Sequence, residues 1–307
     1  MSVNNRAVLF MLISTLSLSF SGFFAKQLTG LMSVEFLGFL RLLIPSMLLF
    51  LTIPPAKQAP PSRKMLKPVI IRALCIVGCQ LCFLISLGSL SLVESVVLFA
   101  TGPLFIPVLE RLFFKVKIRI ETGFALAATF VGVMLLAGDV SGIQIKPELL
   151  LGLAAGVFNA GSQVSLFRAS KGDMSPASLN AWTFLFGAIS IFPVLFFSGL
   201  SGSDKELLFS ADKHIWVWGI MLLYSVAIVL NQLFRSRAYK LAESNSQIAP
   251  LIFTNLLFTA ALQLVFFDVH FSDYQIAGIA LIITASLMNS FAARILKFLF
   301  HAKTRRA

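Results

Sequence analysis

The chain has 307 residues, of which 58% are hydrophobic and only 12% charged, with a mean hydropathy of +0.90. Soluble domains carry about twice that charge fraction, and no water-soluble fold of this size hides so much apolar surface, so the chain is expected in a lipid bilayer. The formal net charge of +12 would suggest nucleic acid in a soluble protein; here it reads as basic residues retained in membrane-flanking loops, and no nucleic-acid partner is expected.

A helix needs roughly 20 apolar residues to cross a bilayer. Backbone groups in lipid must bond internally, which favours helices, and the short alternating segments of a β-barrel are absent. Ten apolar runs lie near 7–28, 33–53, 68–90, 93–114, 120–138, 149–168, 175–198, 214–235, 243–267 and 274–297. The fold class expected is an all-α integral membrane protein of ten transmembrane helices. The first run follows Arg6 and ends in small residues, the outline of a cleavable signal. It is expected to remain as a span, because no soluble domain follows it and a later segment matches it.

Span 2 carries Arg41 about eight residues inside, roughly 12 Å along the axis. An ionisable group at that depth is costly and asks for a reason. Its guanidinium either binds a solute carboxylate or phosphate, or snorkels or bonds to a neighbouring helix's carbonyls. The Pro-rich stretch 54–67 reads as an extended connector. Span 3 carries Cys75, Cys79 and Cys82 on one face; without a His or a fourth thiol nearby they read as packing residues, not a metal site. Gln80 in span 3 and Asn231 with Gln232 in span 8 hold corresponding places in the two halves. Asn159 and Gln163 share a face of span 6, and Asn180 and Asn255 are further amides. Each amide either bonds between helices or lines a site. Gly152, Gly156 and Ala160 form a small-residue ladder for close helix packing. Trp182 lies mid-span, away from the interfacial belt, as a candidate pocket wall, whereas Trp216 and Trp218 read as belt residues. The stretch 199–213 is expected as a loop.

Lys and Arg set the orientation. With a cytoplasmic N-terminus, twenty of the 25 basic residues fall on the cytoplasmic side, Arg72 and Arg235 among them, and four on the other. That bias puts both termini in the cytoplasm, consistent with an even number of spans.

The chain also repeats itself. Leu92, Glu94 and Ser95 recur as Leu241, Glu243 and Ser244; Lys26, Gly30 and Met32-Ser33 recur as Arg168, Gly172 and Met174-Ser175; and Gly123 matches Gly278. Two halves are expected, 1–145 and 146–298, followed by a basic cytoplasmic tail, 299–307. Each half has an odd number of spans, so the second copy sits inverted, an arrangement characteristic of alternating-access transporters.

Four segments carry a family resemblance: Phe20-Ser-Gly-Phe-Phe-Ala-Lys26, Phe39-Leu-Arg41-Leu-Leu, Glu94 through Pro103, and the paired Gly123-Phe-Ala-Leu-Ala and Gly278-Ile-Ala-Leu-Ile. With these the chain resembles the EamA-type transporters of the drug/metabolite transporter superfamily. Lys115 stands where the family often has an acid. The resemblance implies a multi-pass inner-membrane carrier for small organic solutes.

The expected solute is small and polar with an acidic group, such as an amino acid or related metabolite. The expected site is Arg41, Gln80, Asn159, Gln163, Trp182 and Asn231. Lys26 with Glu94, and Arg168 with Glu243, fall at opposite mouths under the inverted symmetry and are expected as gates, or else are ordinary helix-end charges. No Asp, Glu or His lies clearly mid-span, which favours exchange or facilitated transport over proton coupling. No cofactor, metal or catalytic residue is expected; partners are the solute and the bilayer, with a homodimer as one option. A channel or non-transporting receptor is the alternative. An intramembrane enzyme fits less well, because the histidines lie at span ends.

Overall fold

The computed structural model describes residues 3–55, 58–115, 147–170, 172–209, 214–241, 251–252, 254–267, 272–274, 276–285 and 288, with 123–124, 127–128, 131–132 and 135. Within the first half lie α1 (Val3–Leu28), α2 (Val34–Thr52), α3 (Arg63–Ser89), α4 (Leu92–Phe99) and α5 (Gly102–Phe114). Within the second lie α6 (Pro147–Ala169), α7 (Pro176–Ser198), α8 (Gly202–Phe209), α9 (Ile215–Leu241), α10 (Thr254–Phe266) and α11 (Ile276–Ala285). Among the described residues there is no strand, and seven helical stretches are long and apolar enough to cross a membrane. This is a multi-pass membrane protein.

Local chemistry explains the boundaries. Ser33 caps α2 by accepting the Phe36 N–H at 3.3 Å, and its repeat mate Ser175 caps α7 by accepting the Ser178 N–H at 3.1 Å. The recurring Met-Ser pair therefore marks the same helix start in each half. Ser91 and Glu94 form a reciprocal capping box at the start of α4, with Ser91 N–H donating to Glu94 at 2.8 Å. The apolar run read as one span at 93–114 is two helices, interrupted at Ala100 and Thr101. Pro103 has no N–H to continue the first ladder and sits in the opening turn of the second helix.

Helices of the two halves pack in pairs. The longest contacts are α1 along α9, α3 along α6 and α2 along α7. The main core takes side chains from both halves, including Leu37, Leu49, Leu84, Ile191 and Tyr224. Serines give α1 a polar face suited to this packing. Ser14 donates to Asn231 Oδ1 at 2.8 Å and Ser19 to Asn255 Oδ1 at 2.7 Å, tying α1 to α9 and α10. Outward, Leu51, Phe197 and Leu264 are each at least 80% exposed. Such a surface suits lipid rather than water.

The connectors are more ordered than expected. Gln58 donates to Phe50 O and Ile53 O, closing the end of α2. The stretch 199–213, expected as a loop, contains α8, held by Asp204, whose carboxylate accepts the N–H of Ser201 at 3.0 Å and of Ser33 at 2.9 Å. Partial burial pushes the Asp204 carboxyl up, but these donors outweigh it and hold it below the usual carboxylate range.

Candidate functional site

A cavity opens between the helix pairs. Arg41 from α2, Gln80 from α3, Asn159 and Gln163 from α6, and Asn231 from α9 all line it. Five of the six expected site residues thus converge. The sixth, Trp182, does not reach the cavity wall: its indole N–H donates to Ala59 O at 3.1 Å, and its ring packs edge-on against Phe50. The Pro-rich connector supplies that carbonyl, so the indole's polar edge is satisfied away from the site.

The amides combine both expected roles. Gln80 donates to Gly38 O at 3.3 Å, one turn before Arg41, and so ties α3 to the helix that carries the arginine. Asn231 accepts from Ser14, and Gln163 donates to Asn159 Oδ1 at 3.3 Å while accepting from Tyr239 at 3.2 Å.

Arg41 does not snorkel to the bundle edge. Its guanidinium carbon lies 5.3 Å from the centroid of the Tyr224 ring, and Nη1 is buried with no hydrogen-bond partner. The ring face attracts the cation but leaves Nη1 without an acceptor.

Two further arginines escaped the sequence reading, which placed both among the cytoplasmic flanks. Arg72 is 0% exposed and Arg235 2%. Arg72 donates to Asn180 Oδ1 at 2.8 Å, Gln232 Oε1 at 3.1 Å and, more weakly, Thr183 Oγ1 at 3.4 Å. Arg235 lines the cavity, and its Nε and Nη2 have no partner. Among the described residues no Asp or Glu lines the cavity. A buried cation without counter-charge or hydrogen bonds is costly, and an anion supplies both. One signal was available in the sequence: Arg235 follows Asn231 by four residues, which puts both on one helix face.

At the mouths, Lys26 donates to Leu87 O at 2.6 Å and Leu90 O at 2.7 Å, capping the end of α3. Glu94 belongs to the capping box of α4 and lies close enough to act on Lys26 electrostatically. The side chain of Arg168 and the whole of Glu243 lie outside the described residues.

The sequence profile of the EamA-like transporter family matches residues 5–138 and again residues 146–291. The chain belongs to the EamA-like transporter family. No curated protein matches it. A solved structure described as "Crystal structure of protein" shares 18% identity, covers 96% of this chain and 97% of its own, and superposes with a TM-score of 0.56; at that identity the likeness concerns the fold alone. In this EamA-like transporter, Arg41 and Gln80 come from the first matched segment, and Asn159, Gln163, Asn231 and Arg235 from the second. The cavity is therefore walled by both EamA repeats.

The small-residue ladder of α6 packs beside the cavity, against the α4–α5 interruption. A Cβ on Gly156 would meet Thr101 Oγ1 at 2.5 Å and Leu98 O at 3.0 Å. Only a glycine allows this approach.

Proposed function

We propose that this EamA-like transporter carries a small polar organic solute bearing an acidic group, such as an amino acid or related metabolite, by alternating access between two inverted five-helix repeats. The observation that carries the reading is the set of buried guanidinium nitrogens without a partner, Nη1 of Arg41 and Nε and Nη2 of Arg235, in a cavity without a described acid. A solute carboxylate supplies what both lack, since the arginine fork matches its two oxygens.

Helix packing supports the inverted arrangement. Exchanging the halves turns the pair α1–α9 into α6–α3, returns α2–α7 to itself, and turns α1–α10 into the contact of α6 with α4 and α5; all of these contacts occur. A twofold axis in the membrane plane accounts for the pattern. In this reading ten helices cross the inner membrane and both termini are cytoplasmic, as the basic loops favour.

Lys26 with Glu94 forms the outer gate in this scheme, in addition to capping α3 and α4, and Arg168 with Glu243 the inner one. A disulfide between cysteines placed at 26 and 94 traps one state; transport that continues at full rate with the crosslink formed removes the gate.

Counterflow in proteoliposomes tests the carrier. Saturable exchange of an amino acid or organic acid is expected, reduced at least tenfold by Arg41→Ala. Flux that never saturates favours the channel alternative. Undiminished exchange in Arg41→Ala counts against the site.

A further inference from the structure

Resting on the anion-carrier reading above, we propose that the solute is a dianion held at both ends, an aliphatic dicarboxylate of roughly four to six carbons, one carboxylate on Arg41 and the other on Arg235.

The layout of α9 points to two anchors. Tyr224, Ile228, Asn231 and Arg235 fall at i, i+4, i+7 and i+11, one stripe of the helix. Ile228, Asn231 and Arg235 all line the cavity, and Arg41 sits over the Tyr224 ring at the start of the same stripe. Eleven residues separate Tyr224 from Arg235, about 16 Å of helix axis. Helical side chains lean towards the N-terminus, so the long Arg235 side chain is drawn back towards Tyr224. The Tyr224 ring beneath Arg41 leans the same way, so the two guanidinium groups are separated by on the order of 10–15 Å. After a carboxylate is seated on each, room for a few methylenes remains between them.

Part of the cavity wall suits a methylene chain: Phe83, Phe99, Phe184 and Ile228 line it, beside the amides of Gln80 and Asn231. A monocarboxylate satisfies one arginine and leaves the other buried and unpaired. For Arg235 that strands both Nε and Nη2. Arg72 is not a third anchor, because Asn180, Gln232 and Thr183 already accept its Nη donors.

The test is titration calorimetry on the purified full chain. Succinate, glutarate and adipate are compared with butyrate, valerate and hexanoate. The wild type is expected to bind at least one dicarboxylate at least tenfold more tightly than the monocarboxylate of equal length, with an optimum length. Arg41→Gln and Arg235→Gln should each bring the dicarboxylate down to the monocarboxylate level. Arg235→Lys keeps the charge, protects against loss of folding, and should retain a reduced preference. Equal binding of both series by the wild type, lost in Arg41→Gln, overturns the two-anchor proposal and leaves the anion carrier standing. Binding of neither series, or of both unaffected by Arg41→Gln, removes the anion reading itself.

Discussion

Arg72 offers the sharpest check on how this protein holds positive charge in its interior. Its guanidinium is fully buried and bonded only to neutral acceptors, with Asn180 the nearest at 2.8 Å. Asn180 is itself fully buried and donates to Pro176 O at 2.7 Å and Ser236 Oγ at 3.1 Å. Asn180→Ala removes one charge-assisted bond, worth about 1.5–3 kcal/mol. It also removes two neutral bonds, worth about 0.6 kcal/mol each in membrane proteins. The expected loss is about 3–4 kcal/mol, dominated by the contact to the cation. Asn180→Asp is nearly isosteric and forfeits the neutral donor contacts, but places a carboxylate on Arg72. In a low-dielectric interior the gained attraction offsets much of that loss. Asn180→Ala should therefore lower the thermal midpoint in detergent by roughly ten degrees, while Asn180→Asp should lose clearly less, the attraction to Arg72 offsetting a Pro176 contact that becomes two facing oxygens. If Asn180→Asp is as unstable as Asn180→Ala, the bond from Arg72 to Asn180 is not the charge-assisted contact described, and the account of Arg72 as a cation held by neutral acceptors fails.

Two further outcomes follow from geometry and titration. Gly156→Val should cost about 1–3 kcal/mol of stability, because the added atoms meet Thr101 and the backbone of Leu98 and Gly102; Gly219→Ala, with nothing within 4 Å, should be neutral or stabilising by up to about 1 kcal/mol. Comparable losses in both would show that α6 does not pack closely on the α4–α5 interruption. Asp204 has a depressed folded value, so its contribution is present above the unfolded carboxyl value of about 3.9 and is lost as pH falls through the folded one. Melting from pH 7 to pH 3 should show a drop in the wild type that is smaller in Asp204→Asn, which starts lower at neutral pH. Parallel curves would mean that the Ser33 and Ser201 bonds do not stabilise the fold.

The sequence by itself determined the membrane class, because hydropathy over about 20 residues is a property of one segment facing lipid. It also carried local signals that need no distant partner. Met32-Ser33 and Met174-Ser175 open matching helices because a serine hydroxyl satisfies an N–H within its own first turn. The spacing of Ser91 and Glu94 is a capping box by the same local logic, and gives the recurring glutamate a structural task. Arg41 and four of the amides were found because polar groups deep in apolar runs stand out in one dimension. Tertiary structure decided Arg72 and Trp182, and Arg235 beyond the helix face it shares with Asn231. Both arginines sit near span ends beside Lys64 and Lys67, or Arg237 and Lys240, where a linear count assigns them to solvated flanks. What buries them is the helices packed around them, with Asn180 and Thr183 of α7 reaching Arg72 across more than a hundred residues of chain. Trp182 turned from the cavity because the connector placed the Ala59 carbonyl within its reach. Burial and pairing depend on which helices meet, and no single segment encodes that.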